Sequence, residues 1–360
     1  MKKILIYILK FLIFLLLLLI VIGGSIFGFS YANYQKGYTS VTEIEKENLL
    51  SSLKESDIIL SDSGALRRTG NTLMSIPEWF IVSISDDYTS WLEQGNNPSD
   101  FPYFGYLMDY WYLYGRITSI MDYKIPRDYE YHTMVRVIGV STTLEFGLKG
   151  LYEFTLGRLT SLIQYNSEED TAYHKISRDY VHFILLRPWY EFDFRESLSR
   201  FDCHFSSLRG TERCFLYGGE LLLKKYYAKV IEDAAHSNFA IPNVWTEVGG
   251  VFPESVTQID TINIVKTENG IKITRYYPFT EYLPKVLSES GTTVTSIAGN
   301  KKIVVEAQGP SNSITPREMF ARIPLRTEPS IARTFSLLPV ESLKTFLLEE
   351  NVKISHIYDF

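Results

Sequence analysis

The sequence predicts an α+β protein: one membrane-spanning helix, then an α-helical domain, then a two-layer domain of strands and helices. Three observations predict it. An apolar run occupies Ile4–Phe29. A charged word is written twice at helical spacing, Glu145-x-x-Leu148-Lys149-x-x-Tyr152 and Glu220-x-x-Leu223-Lys224-x-x-Tyr227. Near the end, Glu281, Leu283, Val286, Leu287 and Glu289 recur sixty residues later as Glu341, Leu343, Phe346, Leu347 and Glu349.

The apolar run contains one charge, Lys10, and the nineteen residues Phe11–Phe29 contain none. That is enough helix to span a hydrocarbon core of ~30 Å. Lys2, Lys3 and Lys10 precede it, so the positive-inside rule puts the N-terminus in the cytoplasm and everything beyond about Tyr31 outside it. A cleaved signal peptide ending near Ser30-Tyr31-Ala32 is the rival reading. An uncleaved anchor over residues 1–30 is preferred, because the stretch is longer than a usual signal-peptide core. Residues 31–70 then read as a stalk. Thr42–Leu53 has a helical charge pattern with little apolar surface, and SDSGALRRTGN is turn-forming.

An aromatic-rich helical domain is expected over residues 71–240. Pro77 sits where a first-turn proline would, with Ser75 ahead of it as a cap. Phe104–Met121 is a second helix, stopped at Ile125-Pro126-Arg127. His132–Ile163 is long enough for about eight turns. Arg136, Glu145, Lys149, Glu153 and Arg158 make it too charged for a lipid-facing span, at about 3 kcal/mol each near a bilayer centre. It is expected to be buried in protein or to lie at an interface, with protein preferred. Gly139, Gly147, Gly150 and Gly157 suit close approach of a neighbouring helix. Further helices are expected over Ala172–Leu186 and Phe215–His236.

Residues 255–360 change texture to period-two stretches and tight turns. Ile262–Val265 and Ile271–Arg275 flank Asn269-Gly270, a hairpin signal. Each copy of the sixty-residue repeat reads strand, proline, helix, strand. Duplicated βαβ units of this kind imply a ferredoxin-like two-layer sandwich, with extra strands around Met319–Leu325.

Composition narrows the function classes. A net charge of −6 and the lack of a long basic run exclude a nucleic-acid footprint. Aromatic residues make up 14 %, including 25 Tyr, which suits an amphipathic surface or a large aromatic core. Cys203 and Cys214, the two cysteines, could close a short loop in an oxidising compartment. No GxSxG, P-loop, GxGxxG or HExxH motif occurs, and no cofactor or metal is expected.

The candidate chemistry lies in the twin words. Glu145, Lys149, Tyr152, Glu220, Lys224 and Tyr227 could line a polar cavity, form solvated i, i+4 pairs, or meet as an internal network between two helices. The network is the preferred reading, because tyrosine and leucine repeat along with the charges. Asp179-x-x-His182, with His174 two turns earlier, has metal-ligand spacing but also suits a polar helix face. In RPWYEFDF (Arg187–Phe194), Glu191 and Asp193 share a side of an extended segment. A buried aromatic anchor, with Arg187 paired to a carboxylate, explains that run better. The catalytic alternative is a hydrolase using Glu145, Lys149, His182, Arg187 and Glu191 around one pocket.

SIPEWF (Ser75–Phe80), LEFGLKGLY (Leu144–Tyr152), RPWYEFDF and HIYDF (His356–Phe360), in that order, resemble an uncharacterised family of bacterial membrane-anchored proteins. The resemblance spans about residues 70–360. It implies a bacterial envelope location and nothing finer, and it brings no activity, substrate or cofactor. Together with the apolar run and its flanking lysines, the expected place is the bacterial inner membrane, with the bulk outside the cytoplasm. Residues 4–29 would contact the membrane, and another envelope protein is the expected partner of a non-catalytic binding or assembly role.

Overall fold

The computed structural model describes residues 21, 23–54, 69–122, 125, 129–235, 245–311, 319–347 and 352–358. Most of the expected membrane span falls on residues 1–20 and lies outside the described residues. Among the described residues, no helix is long and apolar enough to cross a membrane.

The chain is mixed α+β, helical first and sheet-forming later. A helix over residues 23–39 (α1) leads into α2 (Glu43–Lys54). These residues of the expected stalk pack onto the helical body. Val41, Leu49 and Leu50 are buried, and the Tyr34 and Tyr114 rings lie 5.7 Å apart. Glycine makes this approach possible, since a Cβ on Gly37 or Gly115 would collide with the backbone carbonyl of Tyr112 or Tyr34.

The body consists of α3 (Thr69–Glu93), α4 (Tyr103–Asp122), α5 (Tyr129–Tyr152), α6 (Arg158–Ser161), α7 (Glu168–Ile184), α8 (Phe194–Arg200) and α9 (Leu208–Ala235). Pro77 lies inside α3 instead of opening it, and Ser75 donates back to the Thr72 carbonyl at 2.6 Å instead of capping. Complete burial of Leu73 and Ile76 offsets the roughly 3 kcal/mol that an interior proline costs. The long helix expected from His132 is interrupted by a π turn, Glu153–Gly157, between α5 and α6. Tyrosines of α4 fill the notches on α5: Tyr110 lies against Gly139 and Tyr103 against Gly150. A capping box of Ser167 and Asp170 starts α7. Asp193 starts α8 by accepting from the Glu196 N–H at 2.8 Å.

The strands are β1 (Trp245–Val251), β2 (Ile264–Thr267), β3 (Gly270–Thr274), β4 (Thr293–Ile297), β5 (Lys302–Pro310), β6 (Met319–Pro324), β7 (Ile331–Pro339) and β8 (Lys353–Tyr358). Helix α10 (Val256–Ile259) follows β1, α11 (Tyr277–Ser288) follows β3, and α12 (Leu343–Leu347) precedes β8. They form two four-stranded sheets, β2-β3-β1-β4 and β6-β7-β5-β8, with every recorded pairing antiparallel. Numbered within its own sheet, each has the order 4-1-3-2. The copies of the sixty-residue repeat therefore close different sheets, one through α11 and β4, the other through α12 and β8. The hairpin expected at Asn269-Gly270 is β2–β3, with Thr267 opposite Gly270. Gly270 itself belongs to β3, where a Cβ would strike the Val248 carbonyl of β1.

Alternation along β5 explains the layering. Ile303, Val305 and Ala307 join a core with β1–β4 and α11, while Val304 joins the core of the helical body. Phe320, Phe335 and Tyr358 join it on that same side. A sheet covered on both faces is buried along nearly every residue, as β5 and β7 are.

Candidate functional site

The two charged words meet. Lys149 pairs with Glu220 at 2.9 Å and Lys224 with Glu145 at 2.7 Å, so the pairings run in opposite chain directions along α5 and α9. Lys224 also reaches its own helix neighbour Glu220 at 3.1 Å. Tyr173 of α7 completes the cluster, accepting from Lys149 Nζ at 3.0 Å and donating to Glu220 at 2.6 Å. The Tyr88 and Tyr173 rings face the same ammonium at 4.6 and 4.7 Å.

The network continues past the π turn. Glu153 and Arg213 form a two-armed ion pair with both side chains fully buried. Ser99 donates to Glu153 at 2.9 Å. Asp170 lies 3.1 Å from Arg213 Nε and 3.3 Å from Arg209 Nε, and it accepts from Tyr217 at 2.9 Å. Arg209 donates to the Gly157 carbonyl at 2.7 Å and to Thr160 at 2.9 Å. A Cβ on Gly157 would meet the Glu153 carboxylate, so the glycine makes room for the buried acid.

Burial alone would push Lys149 down, but Glu220 and Tyr88 outweigh it and the ammonium is held above its ordinary value. Glu220 is driven the other way. Burial raises it, yet Lys149 and Lys224 together pull it below the usual carboxylate range. Lys149 is thus fixed as a cation and Glu220 as an anion. A lysine base or nucleophile needs the opposite shift.

The other sequence-selected residues lie elsewhere. Tyr152 is directed toward Glu212, burial and then Glu212 raising its hydroxyl above the ordinary tyrosine value, and Tyr227 stacks on Trp189 at 5.4 Å. His182, Arg187 and Glu191 are exposed. Among the described residues no hydrogen bond or ion pair joins any of them to Glu145 or Lys149. In RPWYEFDF the aromatic residues do anchor, with Phe194 buried and Trp189 and Phe192 packed on the core. Its arginine is not buried with a carboxylate: Asp193 is occupied as the α8 cap. Asp179 pairs with Arg200 at 3.2 Å, and His174 lies 3.6 Å from Glu93. Among the described residues no three His, Cys, Asp or Glu side chains gather as a metal site. Cys203 and Cys214 are bonded to each other.

Sequence reasoning missed Tyr173, Arg209, Arg213 and Asp170. For α9 the signal was available: Arg209, Arg213, Tyr217, Glu220 and Lys224 follow one another at helical spacing. A second buried cluster joins α3 to the sheets. Arg333 pairs with Asp87 at 3.0 Å and Glu306 at 3.2 Å, while Ser83 and Tyr358 donate to Glu306 at 3.1 and 3.2 Å. Its sequence sign is slight: one charge in the interior of each of two strands, Glu306 in β5 and Arg333 in β7.

The outer side of the same helices is apolar. Glu153 is 0 % exposed and its neighbour Phe154 is 66 % exposed; Arg213 is 0 % exposed and Phe215 is 73 % exposed. Beside the disulfide, a shallow groove of about 420 Å³ is lined by Leu198, Phe205, Phe215 and Leu222. No family model, curated protein or solved structure matches the chain.

Proposed function

We propose that this chain is a single-pass protein of the bacterial inner membrane, anchored through residues 4–29, with its bulk outside the cytoplasm and a non-catalytic binding or assembly role. Closure of the cluster around Lys149 carries the non-catalytic part. Lys149, Glu220 and Lys224 each face an opposite charge, Lys149 is held protonated, and the three side chains are only 6, 12 and 16 % exposed. The location is supported by the uncharged run Phe11–Phe29, the lysines ahead of it, and the Cys203–Cys214 bond. Another envelope protein is the expected partner, engaged through the aromatic surface or the sheet-forming region.

The 4-1-3-2 order supports reading each sheet as a ferredoxin-like unit, complete over β1–β4 with α10 and α11, and carrying a described helix only in its second half over β5–β8. That fold hosts many functions and favours none here.

Protease added to spheroplasts tests the placement, and alkaline carbonate tests the anchor. The chain should be digested without lysis and should stay with the membrane pellet in carbonate. Protection until lysis would overturn export, and release by carbonate would overturn anchoring. Crosslinked protein purified from membranes should carry a second envelope component, and recovery of the chain alone would remove the binding role.

A further inference from the structure

Where helices α5 and α9 face each other, their charges pair inward and large apolar residues lie outside. Arg136, Lys229 and Asp233, toward the shared end of the two helices, are exposed. On α5 and past the π turn, Val140, Leu144, Leu148, Leu151, Phe154 and Leu159 are all exposed. On α9 the exposed set includes Phe215, Leu223, Tyr226 and Val230. The ion pairs Glu145–Lys224 and Lys149–Glu220 bridge the two helices, so both apolar faces flank one seam. From Val137 to Gly157, a strip about 30 Å long at ~1.5 Å per residue, the exposed side chains are mostly apolar. The charged exception is Glu145, 39 % exposed at its side chain and paired with Lys224. Soluble monomers seldom leave so long an apolar strip facing water.

We infer that this two-helix face beds into the acyl region of the extracytoplasmic leaflet, lying in the membrane without crossing it. The inference rests on the anchored reading proposed above. Two features of the chain favour lipid over a protein partner. First, the chain brings a bilayer to this face. The uncharged run Phe11–Phe29 passes directly into α1, whose Phe27 is 72 % exposed. Helix α1 packs on α4 at Gly37 and Gly115, and α4 packs on α5 at Gly139 and Gly150. At 8–10 Å per helix contact, α5 lies within about 20 Å of α1. Second, the charges beneath the middle of the strip are arranged as hydrocarbon demands, and the exposed ones, Arg136, Arg158, Lys229 and Asp233, lie toward its ends. Lys149, Glu153, Arg213 and Glu220 all turn inward to opposite charges, as buried ionisable groups of membrane proteins do. A protein surface would tolerate some of them facing out. Tyr165 and Tyr226, both exposed, suit the headgroup boundary at the margins.

The test uses the full chain reconstituted in vesicles. Both cysteines are bonded, so a single introduced thiol can be labelled. Leu148→Cys and Leu223→Cys, each carrying a fluorophore, should lose emission when the vesicle lipids carry brominated acyl chains. Glu254→Cys, on a loop 90 % exposed at its side chain, should not. Carbonate extraction of the same samples reports the anchor separately. Unquenched labels in carbonate-resistant protein would overturn the lipid-facing surface and leave the anchor standing. Quenched labels in protein that carbonate releases would keep the surface and remove the anchor. Disulfide-linked dimers of Leu148→Cys without quenching would assign the face to a second copy and overturn the inference.

Discussion

Glu153 and Arg213 meet as a two-armed ion pair in which neither side chain touches solvent, and Arg213 Nη2 donates to Glu153 Oε2 at 2.8 Å. The acid sits in a π turn of one helix, the guanidinium in the first half of another. Removing one partner strands the other charge. Arg213→Met should therefore destabilise the fold by about 3–5 kcal/mol. Adding Glu153→Leu to that variant should recover much of the loss, because a paired replacement leaves no orphaned charge. Denaturant midpoints of the single and double variants measure this. Equal loss in both would mean that the pair contributes through packing alone.

Lys149→Met distinguishes a structural lysine from a chemical one. Glu220 would keep Lys224 and Tyr173 but lose its closest cation, so stability should fall by about 2 kcal/mol or more. The loss should depend on pH. Glu220 is held at about 2 in the fold against an ordinary 4.5, so its contribution is complete above about 4.5 and disappears as pH falls toward 2. The gap between wild type and variant should narrow over that window. An unchanged gap down to pH 2 would remove Glu220 as the coupled group.

The twin words were legible because four charges repeat at i, i+4, and the helices carrying them pair as that repetition implies. The tyrosines of the words were misleading. Position i+7 keeps the same face but lies a turn further along, where Tyr152 meets Glu212 and Tyr227 meets Trp189. The cluster takes Tyr173 from α7 instead. Which side of α5 faces out was not legible. Phe146 turns inward while Leu144 and Leu148 turn outward, and a helix apolar on both sides gives periodicity no direction. The docking of residues 31–54 was hidden for a different reason. Few apolar side chains make the contact, and the close approach comes from Gly37 and Gly115. In the strands, the charges buried against the helical body, Glu306 and Arg333, left only one letter each in strands that also carry other polar residues.

Glu306 should behave oppositely to Glu220. Burial raises it, and Arg333 with its hydroxyl donors lowers it only in part, so the folded carboxyl sits above its ordinary value. A raised acid favours the fold at low pH, and that contribution is lost as pH rises through the folded value. Glu306→Gln keeps one acceptor oxygen, for Ser83 or for Tyr358, and leaves Asp87 facing Arg333. Its cost should be larger below about pH 4.5 than at neutrality. Denaturant midpoints across that range check the sign, and a cost that grows with pH would show that Glu306 is stabilised as an anion.

Two glycines three residues apart on α5 should respond in opposite directions. A Cβ on Gly147 would lie 3.9 Å from Leu107 Cδ1, an ordinary contact. Gly147→Ala should therefore stabilise by up to ~1 kcal/mol, the helix-propensity gain. A Cβ on Gly150 would lie 2.8 Å from Tyr103 Cβ and 3.1 Å from its Cγ. Tyr103 cannot withdraw, since its ring is held by Phe101 at 4.9 Å and Tyr88 at 5.8 Å, and it is only 3 % exposed. Overpacking of about 1–3 kcal/mol should exceed the propensity gain, so Gly150→Ala should be net destabilising. Thermal midpoints of the two variants decide it. If both rise, α4 and α5 can separate at Tyr103, and the tyrosine does not fix their spacing.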